Sequence, residues 1–180
     1  MSSTETLAPA GTTWQLDPVH STIGFEVSYL AGTFKGSFRD VSATLTTVDD
    51  ATTLEGTAKV ESIDVKDANL AAHLQSPDFF DAETHPELRF RAEDVEIGAG
   101  SAIVRGEITI KGFTKPLEAT GTSTEAMTDG FGRERRGVTL STTVDRTAFG
   151  MTWNLPLPTG KPALSNEVTI NADLQFVKAE

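Results

Sequence analysis

The chain has 180 residues, of which 38% are hydrophobic, with 15 glycines and 8 prolines, which fits one ordinary globular domain with an adequate core. Twenty-six acidic against 15 basic side chains give a formal charge of -11, which opposes nucleic acids and anionic lipid surfaces as partners, since these attract Lys/Arg patches and repel acidic proteins. With no cysteine, disulfides, thiolate metal sites and cysteine nucleophiles are excluded.

The N-terminal stretch 1–11 has neither a basic start nor an apolar run, so it reads as a flexible tail, not an export signal or anchor. A cytoplasmic protein is therefore expected, with the domain over residues 12–178 and no stable membrane insertion; a homodimer is left open. The next feature is Leu16-Asp17-Pro18-Val19-His20-Ser21, in which a carboxylate stands three residues before an imidazole and could fix its tautomer. That arrangement suits either the polar head of a ligand or a satisfied Asp-Pro turn.

From there the chain alternates at period two, as a half-buried antiparallel strand demands. Ile23, Phe25, Val27 and Tyr29 form one stripe, Val41, Ala43 and Leu45 another, and Leu54, Gly56, Ala58 and Val60 a third. Ile63 and Val65 change parity after it, which predicts a bulge. Asp67 to Leu74 predicts one or two helical turns ended before Pro77. His73, at its end, and His85, before Pro86, read as structural. Between them Asp78-Phe79-Phe80-Asp81 places two adjacent rings in a connection, where they either plug a barrel end or staple the loop to the core.

Further stripes follow at Leu88, Phe90 and Ala92, at Val104, Gly106, Ile108 and Ile110, at Val138, Leu140, Thr142 and Val144, and at Val168 through Phe176. Asp49-Asp50 and Glu93-Asp94 read as solvent-facing turns at strand ends. Arg133, Arg135 and Arg136, interrupted by Glu134 and flanked by the turn residues Gly130, Gly132 and Gly137, read as a solvated strand entry more than a phosphate site. Gly24, Gly36, Gly56 and Gly106 lie inside alternating runs, where missing side chains either widen an interior or permit strong coiling. Phe149, Met151 and Trp153 fall in a segment rich in Pro and Gly, suited to adaptable apolar contact. Strands so spaced indicate a sandwich or a barrel, and pattern alone does not choose.

Chemistry is sparsely supported. No Gly-x-Ser-x-Gly, dinucleotide fingerprint or paired histidine spacing occurs, so neither a metal nor a cofactor is expected.

Several stretches together resemble the YceI-like family: Leu16 to Ser21, Gly36-Ser37-Phe38, His73 to Phe90, Gly106 to Pro116, and Asp145-Arg146 with Phe149-Gly150. The resemblance implies an all-β, extended, lipocalin-like antiparallel β-barrel of about eight strands whose hydrophobic cavity holds a long isoprenoid. It departs from many members at Tyr29, where they carry a second histidine, and at Leu70-Ala71, where they carry an Arg-Asp pair. On this basis the expected lumen lining is Phe25, Val27, Tyr29, Phe38, Phe79, Phe80, Phe90, Ile108, Ile110, Phe149, Met151 and Trp153. Asp17, His20 and Arg146 are expected at the head-group end, and the resemblance implies an internal contact of Arg146 with a carboxylate. The expected role is to sequester or carry a long-chain lipid such as an isoprenoid quinone or polyprenyl compound. The alternatives are an enzyme on such a lipid, with Asp17 and His20 as acid/base pair, and a barrel used only as an interaction surface.

Overall fold

Alternating apolar residues become strands whose one face turns inward, and the computed structural model describes them over residues 11–179. The expected tail at 1–11 lies, but for Gly11, outside the described residues. The strands are β1 (Thr12–Leu16), β2 (Thr22–Tyr29), β3 (Gly32–Phe38), β4 (Val41–Val48), β5 (Ala51–Lys59) and β6 (Ile63–Asp64). The helix α1 (Ala68–Gln75) separates these from β7 (Glu87–Gly98), β8 (Ser101–Ile110), β9 (Phe113–Ser123), β10 (Met127–Thr128), β11 (Glu134–Asp145) and β12 (Leu164–Lys178).

Three long strands are each built from two pieces. Trp14 of β1 pairs with Leu45 of β4, while Ile23 of β2 pairs with Phe38 of β3, which also meets Ile63 of β6. The breaks at 17–21, 39–40 and 60–62 therefore lie side by side, stitched by Arg39 N–H to Ser62 O at 3.1 Å and Lys59 N–H to Asp40 O at 2.9 Å. Counting each pair as one strand, and the two-residue β10 as a continuation of β9 along β11, gives eight, and β12 closes the barrel by pairing with β11 on one side and with β1 and β2 on the other. The antiparallel barrel read from the resemblance is thus the fold.

Local readings need correction at three places. The parity change after Val60 is a 3-10 turn at Val60–Ser62, not a bulge; the register shifts instead at Ala92/Asp94 and between Leu164 and Val168. Glu93-Asp94 lies inside β7 at that shift, where Glu93 pairs with Arg91 and Asp94 with Arg105. Asp49-Asp50 is a turn, with both residues in the left-handed region as a tight two-residue hairpin requires. The arginine cluster is a strand entry as expected, opening β11 with Arg133 exposed, but Arg135 is not solvated, because two carboxylates enclose its guanidinium (below).

Strand β9 carries no stripe in the sequence reading, and Pro116 explains why. It pairs with Glu107 of β8, but β9 meets β11 only over 120–123, so the absent N–H faces no ladder and costs nothing.

The interior divides lengthwise. At the end holding Trp14, Leu45, Val104, Val138 and Phe176 side chains fill the barrel, and Arg136 stacks over Trp14 with 5.5 Å from guanidinium carbon to ring centroid. The other end is covered by α1 and the 76–86 connection. Asp67 caps α1, its carboxylate accepting from Asn69 N–H at 2.8 Å and Leu70 N–H at 3.1 Å, worth about 1 kcal/mol. Phe79 and Leu74 then bury against the barrel. No helix among the described residues is long and apolar enough to cross a membrane.

Candidate ligand cavity

Between the packed end and α1 the barrel encloses a cavity of about 480 Å³, within the range of small-molecule sites. It exists because inward positions of four strands carry small side chains: Ala43, Gly56, Ala119 and Ala172 all line it. A lumen of eight strands is otherwise just filled by larger ones. The wall is overwhelmingly apolar.

All twelve residues expected in the lumen line this space. Phe25, Phe34, Phe38 and Phe80 form one aromatic group with centroids 5.6–6.3 Å apart. His73, Phe79 and Trp153 form another at 4.7–5.4 Å beneath α1. Phe34 of β3 lines the cavity too, and so do Ile23, Leu88, Leu140 and Ile170, which belong to the stripes already named. The alternation that marked their stripes was the signal that finds them.

The four glycines act differently from one another. Gly56 has room for a Cβ at ordinary contact, 3.4 Å from Ser42 O, so its bareness widens the lumen. A Cβ at Gly36 would stand 2.6 Å from Cζ of Phe25, so that space is already taken by the ring. Gly24 and Gly106 let neighbouring backbone approach, the latter at the register shift of β7.

Arg146 lines the cavity and is 4% exposed. Its Nε donates to Ser165 O at 2.9 Å, and Nη1 to Met151 O at 2.7 Å and Trp153 O at 2.8 Å. The implied internal carboxylate contact is absent from this set: the neighbouring Asp145 carboxylate instead accepts from Thr147 N–H and Oγ1. Nη2 is buried without a partner. Burial pushes the guanidinium pKa down, yet arginine stays charged. A positive group with an unused donor thus sits in an apolar wall.

His73 was read as structural and proves to line the cavity as well, with Nε2 3.0 Å from Asp78 Oδ2. Nothing in its helical position pointed inward; the packing of α1 over the barrel end does that.

Asp17 and His20 do not join Arg146. They are absent from the cavity wall, and Asp17 binds Arg135, whereas Arg146 follows Asp145. Arg135 and Asp145 are separated by ten residues of β11, roughly 33 Å at about 3.3 Å per residue. The expectation of one head-group site is corrected accordingly, because the strand carries the two arginines to opposite ends. Asp17 Oδ2 accepts from Arg135 Nη1 and lies at the same 2.7 Å from His20 Nδ1, while Oδ1 accepts from Val19 N–H at 3.0 Å. Arg135 also donates to Asp129 Oδ2 at 2.7 Å and Gln175 Oε1 at 2.8 Å. Arg135 and then His20 hold the Asp17 carboxyl well below the usual range, and Arg135 with the Arg133 N–H lowers Asp129 to about 2. So depressed a carboxylate is a weak base. The cluster fastens the β1–β2 break to the β10–β11 hairpin. Among the described residues no group of three or more His, Asp or Glu is placed to hold a metal ion.

A closed antiparallel barrel around an apolar cavity defines a ligand-binding barrel, in which strands supply the wall and end connections the closure. The YceI-like domain model matches residues 14–176, and the chain belongs to that family. A UPF0312 protein of Staphylococcus epidermidis is 31% identical over 173 residues, covering 92% of this chain and 97% of the relative. One from Staphylococcus aureus strain USA300 is 29% identical over 177 residues, covering 94% and 99%. Among solved structures, Burkholderia cenocepacia BcnA superposes with a TM-score of 0.74 at 21% identity, covering 89% of this chain and 98% of that one. A polyisoprenoid binding domain from Saccharophagus degradans gives 0.72 at 10% identity, covering 92% and 98%. These structural likenesses are likenesses of fold.

Proposed function

We propose that the chain binds one long-chain amphipathic lipid, an isoprenoid quinone or polyprenyl compound, and sequesters or carries it with the tail in the cavity. The observation that carries this is the apolar cavity of about 480 Å³ with the uncommitted donor of Arg146 in its wall. Membership of the YceI-like family supports it, as does the fold shared with the polyisoprenoid binding domain from Saccharophagus degradans.

The energetics suit a carrier. Each buried methylene contributes about 0.8 kcal/mol, so ten tail carbons contribute about 8 kcal/mol against an association cost of about 4 kcal/mol or more. Phe25, Val27, Tyr29, Phe38, Phe80, Phe90, Ile108, Ile110, Phe149 and Met151 hold the tail in this reading, with Phe79 and Trp153 closing over it. A head-group oxygen takes up the free donor of Arg146, a gain available to any acceptor-bearing head. Asp17 and His20 serve as a fastening in this reading and not as a head-group site.

The test is mass spectrometry of an organic extract of purified protein, followed by delipidation and titration with a labelled polyprenyl lipid. A co-purifying long-chain lipid and saturable uptake are expected. Delipidated, folded protein that takes up no lipid would overturn the proposal, and conversion of the label to a new product would replace carriage with turnover.

A further inference from the structure

The large apolar side chains exposed among the described residues fall into two groups. Val19, Met127 and Phe131 lie at the packed end, at the β1–β2 break and the β10–β11 hairpin. Tyr29, Leu30, Phe113 and Leu155, exposed by 38%, 59%, 46% and 46%, lie on three connections at the cavity end. Those connections touch. Leu30 N–H, at the β2–β3 turn, donates to Ala163 O at 2.9 Å, and Ala163 N–H to Leu155 O at 2.9 Å. Lys111 Nζ, from the β8–β9 turn, reaches Gly150 O at 3.3 Å, and Phe113 packs over Gly150. The β11–β12 connection therefore bridges the two turns into one surface, and Tyr29 belongs both to it and to the cavity wall.

Charge follows the same division. In a chain of net charge -11, no Asp or Glu occurs between Glu26 and Asp40, between Glu107 and Glu118, or between Asp145 and Glu167. Those intervals carry Lys35, Lys111, Lys115 and Lys161. The fourth connection at this end, over 65–86, carries Asp67, Asp78, Asp81 and Glu83. The bordering carboxylates are largely engaged: Glu118 with Arg105, Glu26 with Lys35, and Asp145 with Thr147. Leu30 adds an independent sign. Its φ of 53° is a conformation that glycine or asparagine adopts more readily, yet the turn presents an exposed leucine there.

We propose that this three-connection rim docks the cavity end of the barrel on a phospholipid bilayer containing anionic lipid, with Leu30, Leu155 and Phe113 entering the interface and the exposed Lys115 and Lys161 facing the headgroups. The combination of apolar side chains with lysines on three connections that carry no carboxylate is what such an interface binds, with the acidic 65–86 connection turned away from the headgroups. It rests on the lipid-binding reading above, for which it supplies the route of loading: the tail passes from bilayer to cavity past Tyr29 without crossing water.

Flotation of the delipidated full chain with phosphatidylcholine vesicles containing phosphatidylserine tests it. Wild type should float, less so at high salt. The double variant Leu30→Asp with Leu155→Asp should bind these vesicles about tenfold more weakly or worse, with unchanged melting and unchanged uptake of lipid delivered from ethanol. Met127→Asp with Phe131→Asp, at the far end, should float like wild type. Wild type that stays in the load, a rim variant that floats normally, or a far-end variant that loses flotation overturns the proposal. So does a wild-type dimer that the rim variant converts to monomer, which assigns the face to a second copy. Failure of ethanol-delivered uptake alone sinks the lipid-binding reading, whereas failure of flotation alone sinks only the docking.

Discussion

Replacing Gly56 with leucine should empty the cavity of ligand while leaving the fold at least as stable. Gly56 faces the lumen from β5, its φ is not left-handed, and a Cβ there meets only Ser42 O at 3.4 Å and Ala43 Cβ at 3.5 Å. The added side chain can point only into the cavity. It displaces about four methylenes of tail, and at about 0.8 kcal/mol each that is about 3 kcal/mol, or roughly 200-fold in Kd. A glycine within a strand costs about 0.5–1 kcal/mol relative to alanine, so melting should stay level or rise. One of the chain's two tryptophans, Trp153, lines the cavity, whereas Trp14 is packed at the far end. Intrinsic fluorescence of delipidated protein titrated with a long-chain lipid therefore reports occupancy. A variant that melts at or above the wild-type temperature yet binds with wild-type affinity would show that the ligand sits elsewhere.

Three further outcomes follow from the same geometry. Phe25→Asp or Ile108→Asp sets an unpaired carboxylate against the tail and should abolish uptake, while Glu26→Lys and Thr109→Asp, on the outer face, should leave it intact; equal loss in both pairs would mean that the inward face is misassigned. Arg146→Lys cannot reproduce the fork that serves Ser165, Met151 and Trp153, and should cost about 3 kcal/mol by chemical denaturation, with the 150–165 segment opened to protease; unchanged stability would contradict the clamp. Asp17 and Asp129 both titrate below the ordinary 3.8 when folded, so their contribution is complete above about pH 4; that of Asp129 is lost as pH falls through about 2, and that of Asp17 at lower pH still. Arg135→Gln should lower stability at neutral pH and flatten that acid limb, read as melting temperature against pH; an unaltered acid limb would exclude the cluster as its source.

Period-two alternation determined much of this protein on its own, because it is a local property: residues two apart point the same way whatever the strand meets. Ile23, Phe25, Val27 and Tyr29 could thus be placed on one face before any partner was known, and Asp67 with Pro77 bounded the helix through caps and breakers that act within a few residues. Closure is different in kind. Whether the strands form a sandwich or a barrel depends on β12 pairing with β11, β1 and β2 together, which joins residues up to about 160 positions apart and leaves no local mark. The cavity is likewise a sum over strands, arising only where Ala43, Gly56, Ala119 and Ala172 from four strands come to line one space. Asp17 looked like a partner for His20 alone, three residues away, and its stronger partner Arg135 stands 118 residues on. The family resemblance places Arg146 with Asp17 at one head-group end, and only the length of β11 sets them at opposite ends. Sequence therefore fixes which way each side chain faces along its strand, and the closed sheet decides what that side chain faces.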